Sequence, residues 1–95
     1  MVNNSEDFYI RLEEQLSNTS KWPNKYRFKF ILKSNEKDIQ ELKSIFNDIN
    51  GALFSLRKSS NNKFTSVSIN AVMKNPISII NKYKLASKIE GIISL

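Results

Sequence analysis

Neither cysteine nor histidine occurs in the chain. Their absence removes disulfides, thiolate nucleophiles, thiolate and imidazole metal ligands, and every histidine acid–base pair. Long apolar runs are missing too: none exceeds three residues, as in Phe30-Ile31-Leu32, far too short to span a bilayer. The opening Met1-Val2-Asn3-Asn4-Ser5-Glu6-Asp7 has no basic stretch leading into an apolar one, so no export signal and a cytoplasmic location are expected. Glycine and proline number two each, with no low-complexity tract and no internal repeat. The acidic pairs Glu6-Asp7 and Glu13-Glu14 fall on the outer faces of a terminal helix, without the burial that makes carboxylates useful acids or bases. No nucleophile, base and orienting group can be named together, so the expectation is no enzyme, no cofactor and no metal.

What remains is 95 residues, one domain's worth, with 40% apolar and 25% charged side chains, the balance of an ordinary globular domain. The net charge of +6 is unevenly laid out. Residues 1–20 sum to −3 and residues 21–95 to +9. A basic body suggests an anionic partner. Against that, 12 of the 15 bases are lysines, none adjacent to another, beside 12 asparagines and 12 isoleucines, a composition typical of AT-rich coding sequence.

The hydropathy pattern changes period along the chain. Asn4 is placed to cap a first helix, with Phe8, Leu12 and Leu16 as its apolar stripe and Tyr9 beside them. From Tyr26 the pattern alternates strictly, as a strand does. Ser34 or Asn35 caps a second helix bearing Ile39, Leu42, Phe46 and Ile49, and Asn50-Gly51 ends it. Leu53–Lys58 and Phe64–Met73 flank a turn centred on Asn61-Asn62, a hairpin. Asn75-Pro76 opens a third helix through Ile77, Ile80 and Leu85, and Gly91 introduces a closing strand, Ile92 to Leu95.

The expected fold class is therefore α+β: a ferredoxin-like βαββαβ sandwich, a four-stranded antiparallel sheet with two helices on one face, preceded by an extra N-terminal helix. Residues 1–21 form that helix and its linker, and residues 22–95 the sandwich. One side of the sheet is expected to be apolar (Phe28, Phe30, Phe54, Leu56, Val67, Ile69, Ala71, Ile93) beneath Ile39, Leu42, Phe46, Ile77 and Ile80. The other is expected to be half polar, with Arg27, Lys29, Ile31, Ser55, Arg57, Ser66, Ser68, Asn70 and Val72.

Two patches resemble a known family. Trp22-Pro23-Asn24-Lys25-Tyr26-Arg27-Phe28-Lys29 is similar to the aromatic-Pro-x-x-aromatic-x-aromatic-Lys opening of strand one in the YbeD-like small bacterial proteins of unknown function. Ser59 to Ile69 is similar to that family's hairpin followed by aromatic-x-Ser-x-Ser/Thr, with Asn62 where glycine is common. The resemblance covers residues 22–95 and implies a ferredoxin-like fold related to ACT-type regulatory domains, with no established activity. The segment Leu32-Lys33-Ser34-Asn35 lacks the glycine of many ACT-type ligand loops, so it implies no amino-acid ligand, and any small-molecule ligand is unknown.

Two candidate sites follow from the residues. Arg27, Lys29 and Arg57, with Ser66, Ser68 and Asn70, form a candidate binding face on the open side of the sheet. Lys33, Ser34 and Asn35, beside the free N–H groups of residues 36–38, form a candidate anion site at a helix N-terminus, where simple capping is the ordinary explanation. Nucleic-acid readers of this shape carry stacking aromatics on the open face, and the alternation puts the strand aromatics on the helix side. The leading expectation is accordingly a small regulatory or adaptor module that associates with a protein partner or a second copy through its sheet, edge to edge or face to face. Nucleic-acid or anion binding stands second, and no membrane contact is expected.

Overall fold

Ten residues of alternating burial make β1 (Asn24–Lys33) the spine of the molecule: Phe28, Phe30 and Leu32 are enclosed while Arg27, Lys29 and Lys33 face outward. A computed structural model describes residues 4–95, with side chains from Glu6 onward. The other elements are α1 (Asn4–Thr19), α2 (Glu36–Ile45), β2 (Leu53–Lys58), β3 (Phe64–Met73), α3 (Pro76–Ala86) and β4 (Ile93–Ser94). The strands form one antiparallel sheet ordered β2-β3-β1-β4, so β1 and β3 are interior and β2 and β4 are edges. The protein is thus α+β, an open four-stranded antiparallel sheet with three helices. Among the described residues, no helix is long and apolar enough to cross a membrane.

Local chemistry sets the boundaries. Asn35 sits in extended backbone, and its Oδ1 accepts from the backbone N–H groups of Lys37 and Asp38, at 2.9 and 3.4 Å. Asn75 and Ser78 bond reciprocally in a capping box, with Pro76 in the first turn. In the hairpin only Asn62 of the two asparagines takes positive φ, at 60°. Both crossover helices stop early, α2 at Ile45 and α3 at Ala86. Each is followed by single turns that end on a glycine at φ 78°, Gly51 and Gly91.

The core is an aromatic cluster between the inner strands and the helices. Phe28 meets Phe46 and Tyr26 edge-on at 4.8 Å, and Phe30 lies 5.8 Å from Tyr83. Burying each such ring contributes roughly 1.5–3 kcal/mol. α1 lies against α3 through half-buried Tyr9, Leu12 and Leu16, and the Trp22 indole N–H donates to the Leu16 carbonyl at 3.0 Å.

Several expectations are corrected. Phe8 is 55% exposed, and Tyr9, over which the Lys84 ammonium sits at 5.4 Å, takes its place in the α1 stripe. That helix is already formed at Asn4, so its capping position lies outside the described residues. On α3 the inward residues are Ile79, Ile80, Tyr83 and Ala86, and Ile77 faces solvent. Ile93 pairs with Ile31 and so belongs to the open face, because directly opposed residues in an antiparallel pair point the same way. Phe54 and Leu56 do share the helix side with their partners Ile69 and Val67, but every residue of the outer strand β2 is exposed.

Candidate functional site

The strand registers define the open face row by row. Ile93, Ile31, Ser66 and Arg57 cross the sheet in line. The next row holds Lys29, Ser68 and Ser55, and the one after it Arg27, Asn70 and Leu53. All six candidate face residues, Arg27, Lys29, Arg57, Ser66, Ser68 and Asn70, therefore share one side of the sheet. They do not form a tight cluster. With strands about 4.8 Å apart and about 3.3 Å of rise per residue, the Cα of Arg57 lies roughly 12 Å from that of Lys29 and roughly 16 Å from that of Arg27.

Ser68 is not free to meet a ligand. It is only 7% exposed, and the Arg27 guanidinium donates to its hydroxyl at 3.4 Å. The Ser66 hydroxyl donates to the Arg57 carbonyl at 3.3 Å. Arg27, Lys29, Arg57 and Asn70 stand exposed.

A longer feature emerges along β1. Lys25, Arg27, Lys29 and Lys33 occupy the same face at alternate positions, each step about 6.7 Å, broken only by Ile31. No strand residue on this face is acidic. Lys25 escapes a reading that starts the alternation at Tyr26, although the period extends back to it. Phe64 escapes as well: it is 45% exposed, pairs with Lys33, and holds the same phase as Ser66, Ser68 and Asn70. The expectation that the strand aromatics turn to the helix side therefore fails at Phe64. Phe64, Ile31, Arg57 and Ser66 line a shallow depression at the hairpin end of the face. Leu53, Val72 and Ile93, exposed by 69%, 58% and 52%, add apolar surface elsewhere on it.

The candidate anion site is occupied by its own side chains. The Asn35 amide oxygen takes the first free N–H groups of α2, and the Ser34 hydroxyl bonds that of Thr65 at 2.8 Å. Ser34 donates its backbone N–H to the Lys63 carbonyl at 2.9 Å. Lys33 points to the open face. The arrangement is a helix cap tied to β3.

Away from this face, Lys82 is the one enclosed cation among the salt bridges of the described residues. Its side chain is 12% exposed, and its ammonium donates at 2.7 Å both to the Ile45 carbonyl and to Asp48 Oδ1. That hydrogen bond, ahead of the opposing effect of burial, holds the Asp48 carboxyl below its ordinary value. Tyr83 goes the other way: burial first, then the 2.8 Å hydrogen bond to Tyr26, pushes its phenol well above the usual range. Both groups tie elements together.

Comparison with known proteins brings out no matching family model, no similar curated protein and no similar solved structure.

Proposed function

We propose that this protein is a small non-enzymatic regulatory or adaptor module that acts by protein association through its β-sheet, built as a ferredoxin-like βαββαβ sandwich with an added N-terminal helix. The element order strand-helix-strand-strand-helix-strand after α1, and the sheet order β2-β3-β1-β4, support that description. So does the resemblance of residues 22–29 and 59–69 to the YbeD-like proteins.

The observation that carries the functional reading is β2: all six of its residues are exposed, including Leu53, Phe54 and Leu56. Apolar side chains gathered on an outer strand beside unpaired backbone groups are a surface that invites another chain. Immobilised protein should capture a partner from lysate that stays bound at high ionic strength, and Phe54→Asp should release it. Capture insensitive to that substitution would remove the sheet from the reading.

A second reading is favoured by one specific observation, the β1 cation row ending beside exposed Phe64. A row of cations with no acid among them and an aromatic at its end is the arrangement that holds a single-stranded nucleic-acid backbone and stacks a base. Such binding would be lost at high salt, and Phe64→Ala would weaken it without disturbing the core.

A further inference from the structure

We infer that the hairpin end of the open face is a binding site for one nucleotide unit, its base stacked on Phe64 and its phosphate held by the cations that flank that ring. The inference goes beyond the association reading, which needs no ligand. It shares Phe64 with the single-strand reading and replaces a track along β1 by a localised site.

Phe64 is the ridge between two depressions. One, of about 370 Å³, is rimmed by Arg57 and Lys58 beside Ile31. The other, of about 450 Å³, is rimmed by Lys33 and Lys63 beside Asn62. Sites for small molecules commonly measure about 300–1,000 Å³. No acid lines either depression. All four cations are exposed, and among the described residues none of them pairs with an acid.

Strand register puts the main groups on one side of the sheet. Lys33 lies directly opposite Phe64, and Arg57, opposite Ser66, is its diagonal neighbour on the other flank. The Cα atoms of Lys33 and Arg57 are then roughly 12 Å apart, with Phe64 between them. Both side chains are long enough to reach an anion attached to a base that lies over the ring.

The ring is held from its backbone. Phe64 donates its N–H to the Ser59 hydroxyl at 3.1 Å, and its carbonyl accepts from the Ser59 N–H at 2.8 Å. Asn61 Oδ1 closes the turn by accepting from the Ser59 hydroxyl and the Lys63 N–H. The Lys63 carbonyl in turn accepts from the Ser34 N–H just past the end of β1. A platform fixed before the ligand arrives loses little freedom on binding.

Chemistry selects the class of ligand. The ring, 45% exposed, offers its surface to any flat group, and every base has such a face. The cations on both flanks require that the flat group carry an anion, and a phosphate offers an arginine two oxygens at once. An acidic peptide satisfies the cations and leaves the ring bare; a neutral aromatic does the reverse. A nucleotide satisfies both.

Titration of isotope-labelled protein with adenosine monophosphate, followed by amide NMR, tests the site. Saturable shifts should appear at Lys33, Arg57, Lys63 and Phe64 and not at remote Lys88. Adenosine alone and inorganic phosphate alone should each bind about tenfold more weakly or worse. Phe64→Leu keeps the bulk of the side chain and should lose about tenfold in affinity, the worth of one stacked base, whereas Phe64→Trp should keep it. A short unpaired oligoadenylate separates the two sources of the unit. Binding no tighter than that of the monophosphate assigns the site to a free nucleotide. Tighter binding, weakened by Lys25→Glu, assigns it to one nucleotide of a strand. Shifts spread over lysines all round the chain, phosphate bound as well as the monophosphate, or Phe64→Leu bound as well as the wild type would overturn the inference. If the oligonucleotide then still bound and still responded to Lys25→Glu, the β1 track of the single-strand reading would stand without this site. If it did not bind, both would go.

Discussion

The hydroxyls of Tyr26 and Tyr83 depend on each other unequally. Tyr83 is 5% exposed and Tyr26 only half buried, while their oxygens lie 2.8 Å apart. Tyr26→Phe would strand an enclosed hydroxyl and should cost about 1–3 kcal/mol, whereas Tyr83→Phe leaves an oxygen that water can reach and should cost less than about 1. Chemical denaturation of the two variants measures the difference, and a reversed order would show that Tyr26 is the dependent partner. The raised pKa of Tyr83 adds an alkaline signature. Because the folded state favours the neutral phenol, its contribution is complete below the ordinary value of 10.0 and lost as pH rises past it. The melting temperature of the wild type should therefore fall more steeply above that pH than that of Tyr83→Phe. A cleaner backbone effect is expected at Gly51 and Gly91. An added Cβ meets nothing within 4 Å at either, so alanine there opposes only the φ of 78°. Each substitution should cost roughly 1 kcal/mol, and the double variant roughly the sum.

Between elements, Lys82 joins α3 to the turn that follows α2. Lys82→Met would leave the Ile45 carbonyl without its donor and should destabilise by about 1–3 kcal/mol in urea unfolding. Its partner Asp48 has a lowered pKa, so the pair stabilises above the ordinary carboxylate value of 3.8 and fails as pH drops below it. Asp48→Asn should be the less stable protein at neutral pH, and the gap should close on acidification. A gap independent of pH would assign the effect to packing. These ties are invisible in the sequence because they join residues more than 30 positions apart. What was legible is local. The alternation of Tyr26 to Ile31 needs only the pleat, and Asn35 and Asn75 need only the helix ends they cap. Ile93 was misplaced because a two-residue strand has no phase of its own and takes it from pairing with Ile31. The exposure of Phe54 and Leu56 depends on how far the helices reach across the sheet, which no residue of β2 encodes. Phe64 was different: its phase with Ser66 and Ser68 was on view, outweighed by the expectation that strand aromatics turn inward.

At the scale of the whole molecule, net charge separates the two functional readings by the sign of their response to salt. Two copies of a +6 chain repel, so any self-association through the sheet works against charge. Raising ionic strength from about 0.01 to 0.15 M shortens the screening length from about 30 to about 8 Å and should tighten such self-association. Nucleic acid behaves oppositely. If Lys25, Arg27, Lys29 and Lys33 each neutralised one phosphate of a single strand, log K should fall against log salt with a slope near −0.7 for each, about −2.8 in all. Sedimentation of the protein alone and titration with a fluorescent single-stranded oligonucleotide, each over the same salt range, therefore form one experiment. Self-association that strengthens while oligonucleotide binding is absent or salt-independent supports the association module. Self-association that weakens with salt would mean that the contact is held by charge, against an association carried by the exposed apolar side chains of the sheet.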